Sequence, residues 1–207
     1  MKFAFTLLLI AACTAEQQPG RKIYQNVGGR CEGCELYREG IPGRLRPNTV
    51  IVNESEPGER LMISGTIFKP DGVTPAPNVI LYLYHTDSKG YYSPAPHQSI
   101  ARRHGHLRGW LKTGNDGKYQ FTTIRPAPYP NAAIPAHIHP TVKEEDKNAY
   151  YIDDYVFEDD PLVNATYRAS QELRGGSGIV KVTKDAQGNW VGERNLILGL
   201  HVPNYPK

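Results

Sequence analysis

The segment Pro135-Ala136-His137-Ile138-His139-Pro140 places two imidazoles at i and i+2. On an extended strand alternate side chains share a face. His137 and His139 then point one way and Ile138 the other, the arrangement of two neighbouring ligands on one metal ion. A second pair, His104-Gly105-His106, has glycine between its members, and a loop with that freedom preorganises ligands poorly. The chain also holds 13 tyrosines against 5 phenylalanines. Phenol oxygen is a hard donor once ionised, and with imidazole nitrogen it makes an N/O set suited to a highly charged cation. Phenol ionises at about pH 10 in water, so a bound cation is what keeps a tyrosinate at neutral pH.

Several short segments occur in a fixed order around these histidines. They are Lys89-Gly90-Tyr91-Tyr92-Ser93, then Leu107-Arg108-Gly109 running to Thr113, then Asp116-Gly117-Lys118-Tyr119-Gln120-Phe121, then Ile124-Arg125-Pro126-Ala127-Pro128-Tyr129-Pro130, then the histidine segment. Taken together, residues 60–142 resemble the intradiol ring-cleavage dioxygenases, the catechol and protocatechuate dioxygenases that use non-haem ferric iron. The resemblance implies an Fe(III) site whose ligands are Tyr92, Tyr129, His137 and His139, with Tyr92 the fixed phenolate and Tyr129 the one that dissociates. It implies a catechol and O2 as reaction partners, insertion of both oxygen atoms between the two hydroxylated carbons, and a cis,cis-muconate-type product of aromatic-compound catabolism. Catechol dioxygenases usually carry an arginine three positions before the first histidine, and here that position is Ile134. Arg125 and Arg108 are the candidates for the missing cation, and Arg102, Arg103 and Arg108 for receiving an anionic ring substituent.

Two other readings use part of the same text. Gly65-Thr66-Ile67 through Pro70-Asp71-Gly72, with Asn115 to Phe121, also resembles noncatalytic transthyretin-like or carboxypeptidase-regulatory modules, which have no need of the two tyrosines and two histidines together. His137-Ile138-His139 followed by Glu144 fits part of a cupin ligand box, but the glycine expected six residues before the first histidine is Asn131 and no second cupin segment follows.

The elements that must position these groups read as strands and turns. Leu61 to Phe68, Asn78 to His85, Trp110 to Thr113, Tyr119 to Ile124, Gly178 to Val182 and Trp190 to Leu198 are β-rich runs. Asp71-Gly72, Asn115-Asp116-Gly117 and Asp185 to Asn189 are turn sequences between successive runs, predicting three hairpins. No apolar pattern at i, i+3, i+4, i+7 persists over three turns. Seventeen prolines and twenty glycines agree with many short elements, and the expected fold is an all-β antiparallel sandwich with an irregular N-terminal arm and long loops. Tyr119 and Phe121 read as core. Tyr150, Tyr151 and Tyr155 carry no ligand signal, and Glu158-Asp159-Asp160 reads as a solvated loop.

A chain of 207 residues suffices for one domain with its own core, and a net charge of +3 gives no reason to expect a nucleic-acid partner. At the N-terminus, Lys2 precedes the apolar run Phe3 to Ile10, and Ile10-Ala11-Ala12-Cys13 resembles a bacterial lipobox. The expectation is a signal peptide over residues 1–12, lipidation of Cys13, and an exported, membrane-anchored lipoprotein facing the periplasm or cell exterior. Residues 13–49 then form a tether and arm, and residues 50–207 the catalytic sandwich. In an oxidising compartment Cys31 and Cys34 are expected to form a local disulfide. The sequence is compatible with a homo-oligomer.

Overall fold

Apolar alternation sets the architecture. Strand β2 (Arg60–Phe68) buries Leu61, Ile63 and Ile67, and β5 (Lys118–Ile124) buries Tyr119, Phe121 and Thr123 on the matching face, with Ile63 opposite Phe121 in the antiparallel register. Strand β3 (Ile80–His85) buries Leu81, Leu83 and His85, and β6 (His137–Lys143) buries Ile138 and Val142. These faces meet to form one apolar core between two sheets, which removes from water the surface that dominates folding free energy. A computed structural model describes residues 24–95 and 103–207 of the chain.

The first sheet has the order β1 (Asn48–Val50), β5, β2, β11 (Trp190–Glu193), β10 (Val182–Lys184), with β12 (Leu196–Ile197) continuing along β2. The second has the order β4 (Arg108–Lys112), β3, β6, β8 (Tyr155–Phe157), β9 (Ile179–Val180), with β7 (Tyr150–Tyr151) on β6. The expected sandwich is present. Its antiparallel ladders are joined by parallel pairs at β1·β5, β2·β11, β2·β12 and β8·β9. The described helices are a 3-10 turn, Cys34–Arg38, and α1 (Ala165–Ala169), capped by the Asn164 side chain.

Two of the three predicted hairpins are corrected. The Asp71-Gly72 turn leads from β2 to β3, and Asn115-Asp116-Gly117 leads from β4 to β5, so both carry the chain from one sheet to the other. Both edges of β2 and of β3 are taken by other strands, and the apolar faces of β2 and β3 are needed across the core. The Asp185 to Asn189 turn does join an antiparallel pair, β10·β11. The arm also differs from a free tether. Val27 is fully buried, Gly28 N–H donates to Pro203 O, Trp110 Nε1–H donates to Tyr37 O, and β1 pairs with β5, so the folded body begins well before residue 50.

Polar groups inside the sandwich are satisfied across the layers. His85 on β3 donates from Nδ1 to Thr86 O, and its Nε2 accepts the Thr123 hydroxyl of β5 at 2.6 Å; burial pushes its pKa down to about 4, which keeps the ring neutral. Tyr119 and Tyr155 share a hydroxyl contact of 2.9 Å, and Tyr119 also donates to Arg194 O. Cys13 lies outside the described residues, as do Arg102 and the rest of residues 96–102; no helix among the described residues is long and apolar enough to cross a membrane.

The carbonyl of Arg194 passes so close to β2 that a Cβ on Gly65 would stand 1.9 Å from its oxygen. Gly65→Ala is expected to cost about 1–3 kcal/mol and to lower Tm by about 3–10 °C. Gly43, where a Cβ would meet nothing within 4 Å, serves as the control and should leave Tm within about 1 °C. Thermal unfolding of both variants measures this, and an unchanged Tm for Gly65→Ala would show that the contact yields at no cost.

Candidate metal centre

Since Ile138 and Val142 face the core, His137 and His139 project from the outer face of the second sheet. Each ring is locked by its other nitrogen. His137 Nδ1 lies 2.7 Å from Pro135 O, and His139 Nδ1 lies 2.9 Å from Asp154 Oδ1. A carbonyl and a carboxylate can only accept, so both Nδ1 atoms carry the proton and both Nε2 atoms of the neutral rings carry lone pairs. Those lone pairs face each other across 3.1 Å.

Tyr92 and Tyr129 bring their hydroxyls to the same point. Tyr92 Oη is 3.0 Å from His139 Nε2 and 2.5 Å from Tyr129 Oη; Tyr129 Oη is 3.3 Å from His137 Nε2 and 3.4 Å from His139 Nε2. Four donor atoms thus converge, two of them lone-pair nitrogens with no hydrogen to share between them. This donor set fits a cation, and two phenol oxygens with two imidazole nitrogens match a hard, highly charged one such as ferric iron. Burial raises both phenols above their ordinary range. For Tyr92 the Tyr129 hydroxyl adds to burial, whereas for Tyr129 the Tyr92 hydroxyl partly offsets it, so ionising both calls for a positive charge between them. Burial, then the neighbouring His139, lowers the His137 pKa and keeps that ring available as a ligand. Asp154 lies close enough to join His137 and His139 in a metal-binding group, but its Oδ1 is taken by the His139 Nδ1 proton, and its part is to fix that ring.

The phenols are set by two interlocked loops, and Asp87 touches both, one through its carboxylate and the other through its backbone carbonyl. Asp87 Oδ1 accepts the N–H groups of Lys89 and Tyr91, and Oδ2 accepts the Ser93 hydroxyl at 2.5 Å, so the turn is closed on both sides of Tyr92. The carbonyl of Asp87 accepts Ala127 N–H, and the Thr86 hydroxyl donates to Ala127 O, which attaches the loop that leads to Tyr129. Gly90, at φ 85°, passes so near that a Cβ would sit 2.2 Å from Pro128 O. On the far side His106 Nδ1 meets Ser93 O at 3.0 Å and Nε2 meets Glu56 at 2.9 Å; burial lowers its pKa, but Glu56 and Ser93 O more than reverse this. Beneath, Tyr84, paired with His139 across β3·β6, stacks on His139 at 4.6 Å and on His104 at 3.5 Å.

The remaining sequence-predicted residues lie elsewhere. Tyr91, adjacent to Tyr92, is 55% exposed. Arg125 closes both guanidinium nitrogens on Asp159 and lies over the rings of Phe157 and Trp190. Arg108 is paired with Glu39 beside the Trp110 ring. Neither guanidinium is among the hydrogen-bond partners of the four converging atoms. Arg103 pairs with Glu32. Of the His104-Gly105-His106 pair, the first stacks in the aromatic column and the second anchors Ser93, so the two do not act together. Glu144, the cupin candidate, accepts the Tyr150 and Tyr205 hydroxyls and pairs with Lys147. Asp160 accepts Ala136 N–H and Asp159 serves Arg125, so the acidic run is structural. Cys31 and Cys34 form a disulfide with Cα atoms 5.5 Å apart. Sequence reasoning missed Asp87, Asp154 and Tyr84. Only Asp87 had a local signal, an Asp three residues before Gly90, which is a turn-capping pattern.

Residues 37–188 match a family model described as Dioxygenase. The chain is 32% identical over 156 residues to catechol 1,2-dioxygenase 1 of Acinetobacter lwoffii, covering 67% of this chain and 49% of that protein. It is 28% identical over 152 residues to chlorocatechol 1,2-dioxygenase of Rhodococcus opacus, covering 63% and 56%. The chain therefore spans about half the length of the curated relatives it matches. Among solved structures, the dioxygenase domain of a dioxygenase and carbohydrate-binding fusion from Streptomyces sp. SirexAA-E superposes with TM-score 0.58 at 24% identity, over 77% of this chain and 94% of that one. Catechol 1,2-dioxygenase from Acinetobacter sp. ADP1 gives 0.56 at 23% identity, over 76% and 59%. Both likenesses show the sandwich fold.

Asp87→Ala removes three side-chain contacts that hold Tyr92 in register with Tyr129, and is expected to weaken trivalent-metal binding by about tenfold or more. Asp87→Asn retains an acceptor oxygen for the two backbone N–H groups and should keep most of the affinity. Competition dialysis with Ga(III), which is redox-inert, measures both. Equal affinity for the parent protein and Asp87→Ala would show that the loop holds its shape without this carboxylate.

Proposed function

The chain belongs to the intradiol ring-cleavage dioxygenase family, and from that premise we propose that it is a ring-cleaving dioxygenase acting on a catechol, with Fe(III) held by Tyr92, Tyr129, His137 and His139. The single observation that carries this reading is the convergence of two phenol oxygens on two facing imidazole lone pairs. The four donors would hold ferric iron, which would supply Lewis acidity for the reaction of a catechol with O2. The reaction inserts both oxygen atoms between the two hydroxylated carbons and gives a cis,cis-muconate-type diacid.

The protein's own groups have separable tasks. Asp154 and Pro135 O keep each histidine in the tautomer with a free Nε2. Tyr92 is gripped on both flanks through Asp87 and is the fixed phenolate. Tyr129 lies on a proline-rich loop with fewer ties, and its Oη would be the one to accept the proton that a substrate hydroxyl gives up, burial favouring the protonated phenol. Tyr84 packs against His139 and limits tilting of the ring.

The test is a visible spectrum with iron analysis on protein lacking residues 1–13. A tyrosinate-to-iron charge-transfer band is expected in the parent protein, to be altered in Tyr129→Phe, and to change on adding catechol. One O2 should be consumed per catechol, with both atoms of 18O2 in the product. A colourless protein that takes up no iron after reconstitution would leave a noncatalytic sandwich module. We also propose, from the residue 1–13 sequence, that the protein is an exported lipoprotein anchored through Cys13. Metabolic labelling with palmitate should mark the full chain and not Cys13→Ser, and an unlabelled full chain found in the soluble fraction would overturn it.

A further inference from the structure

The disulfide loop reaches the metal centre through residues 104–106. A cavity of about 280 Å3 is lined by Cys31, Glu32 and Gly33 of the arm together with Tyr84, His139 and Asp154. The loop also approaches the centre's supports closely: Gly33, at φ 86°, lies where a Cβ would stand 2.9 Å from His104 Nε2. The His104 ring is buried and lies flat on Tyr84 at 3.5 Å, and Tyr84 in turn stacks on His139 at 4.6 Å. The next residue, Gly105, backs the Tyr92 turn, since a Cβ there would be 3.1 Å from Tyr92 Cα, and His106 N–H donates to Ser93 O. Three consecutive residues thus carry packing from the loop toward one histidine and one tyrosine of the four donors.

The loop is anchored at both ends and closed covalently between them. On one side Val27 is buried, Gly28 N–H donates to Pro203 O, and Arg174 donates to Gly28 O. On the other, Tyr37 O accepts Trp110 Nε1–H. Between these anchors Arg103 pairs with Glu32 at 2.6 Å and with Glu35 at 3.9 Å, but all three side chains are more than half exposed, and such pairs contribute little. The Cys31–Cys34 bond is the strong constraint on the span that presents Gly33 to His104.

We propose that Cys31–Cys34 is a thiol-exchange site, and that a dithiol reductant acting there lowers the affinity of the centre for its metal. This rests on the metal reading of the four donors and adds a control over it. Cys31 is half-buried and Cys34 buried, so a thiolate of the dithiol bonds to the Cys31 sulfur. The Cys31–Cys34 bond breaks, and its electron pair goes to Cys34, which takes up a proton. The second thiolate of the dithiol then displaces Cys31, which is protonated in turn, and the dithiol leaves as its own disulfide. The protein gains two electrons and two protons, and the dithiol loses them. With the loop open, Gly33 is no longer pressed on His104, and the column under His139 and the backing of the Tyr92 turn both loosen.

The test uses the full chain with Cys13→Ser, so that Cys31 and Cys34 are the only cysteines. Dithiothreitol is added to the folded, metal-free protein and removed by gel filtration without air, and thiols are counted. Both cysteines should react; no free thiol would overturn the inference at its first step. Competition dialysis with Ga(III) then compares the oxidised and reduced forms, and reduction is expected to weaken binding about tenfold, with recovery on reoxidation. Cys31→Ser combined with Cys34→Ser, checked by thermal melting, should bind like the reduced parent and ignore dithiothreitol. Hydrogen exchange on metal-free protein is a readout independent of metal: reduction should speed exchange at residues 103–108 and 89–94 and leave residues 182–193 unchanged. Equal Ga(III) affinity in both forms, with faster exchange confined to residues 29–38, would overturn the inference and leave the metal centre standing. No Ga(III) binding by either form, with exchange spreading to residues 103–108 on reduction, would overturn the metal reading and support the coupling of the loop to the residues around it.

Discussion

The lone pairs of His137 and His139 Nε2 stand 3.1 Å apart, each fixed by a hydrogen bond its ring cannot exchange. Two such lone pairs repel, and their own desolvation adds to the cost. A fold keeps groups in that position when something positive rewards it. The two phenols beside them sharpen the demand, because burial holds each in its neutral form unless a cation draws off the proton. Much of the surrounding structure serves to hold these four atoms against their mutual reluctance. The β3·β6 ladder fixes the histidines, Asp154 and Pro135 O set their tautomers, and Asp87 closes the turn that carries Tyr92.

The sandwich makes this feasible through its two-residue period. Every residue of β6 that faces the core leaves its neighbours facing outward, so burying Ile138 and Val142 in the shared core anchors His137 and His139 rigidly on the other side. The same parity on β3 sends Leu81, Leu83 and His85 inward and Tyr82 and Tyr84 outward. Tyr84 then comes to lie under His139 and against His104, and His104 in turn meets the Tyr82 hydroxyl at 3.0 Å. The disulfide loop covers this column, with Gly33 so close to His104 that a Cβ there would be 2.9 Å from Nε2. The site is a layer laid on the outside of a sheet, roofed by loops and by the N-terminal arm.

The histidine pair was legible because an i, i+2 spacing maps directly onto one face of a strand, and the tyrosines because several segments in order resemble a known family. What joins elements was not. Asp71-Gly72 and Asn115-Asp116-Gly117 are genuine turns, with Asp71 capping the N–H groups of Val73 and Thr74, yet turn chemistry is the same whether the next strand pairs with the last or crosses to the facing sheet. Partner choice is a property of the whole core. For the same reason Asp154 and Tyr84 could not be found: one reaches His139 from 15 residues away, the other through cross-strand pairing. The surroundings of Arg125 were hidden in the same way, since Asp159, Phe157 and Trp190 gather around the guanidinium from distant parts of the chain.

The two phenols are not held alike, and the difference bears on what the site can do. Tyr92 follows a residue whose N–H is bound by Asp87 and precedes one whose hydroxyl is bound by the same carboxylate, while His106 grips Ser93 O from the far side. Tyr129 is attached through Ala127, two residues earlier, and through a 3.3 Å contact from Ala132 N–H to its own carbonyl. A displacement of Tyr129 therefore breaks little secondary structure, whereas a displacement of Tyr92 opens the whole Asp87 turn. On the proposed reading, in which a bidentate substrate must find room among four protein donors, one donor would have to leave at low cost while the others keep their places. Spending the available hydrogen bonds on Tyr92 and leaving Tyr129 on a loosely tied proline-rich loop meets both requirements within one layer of side chains.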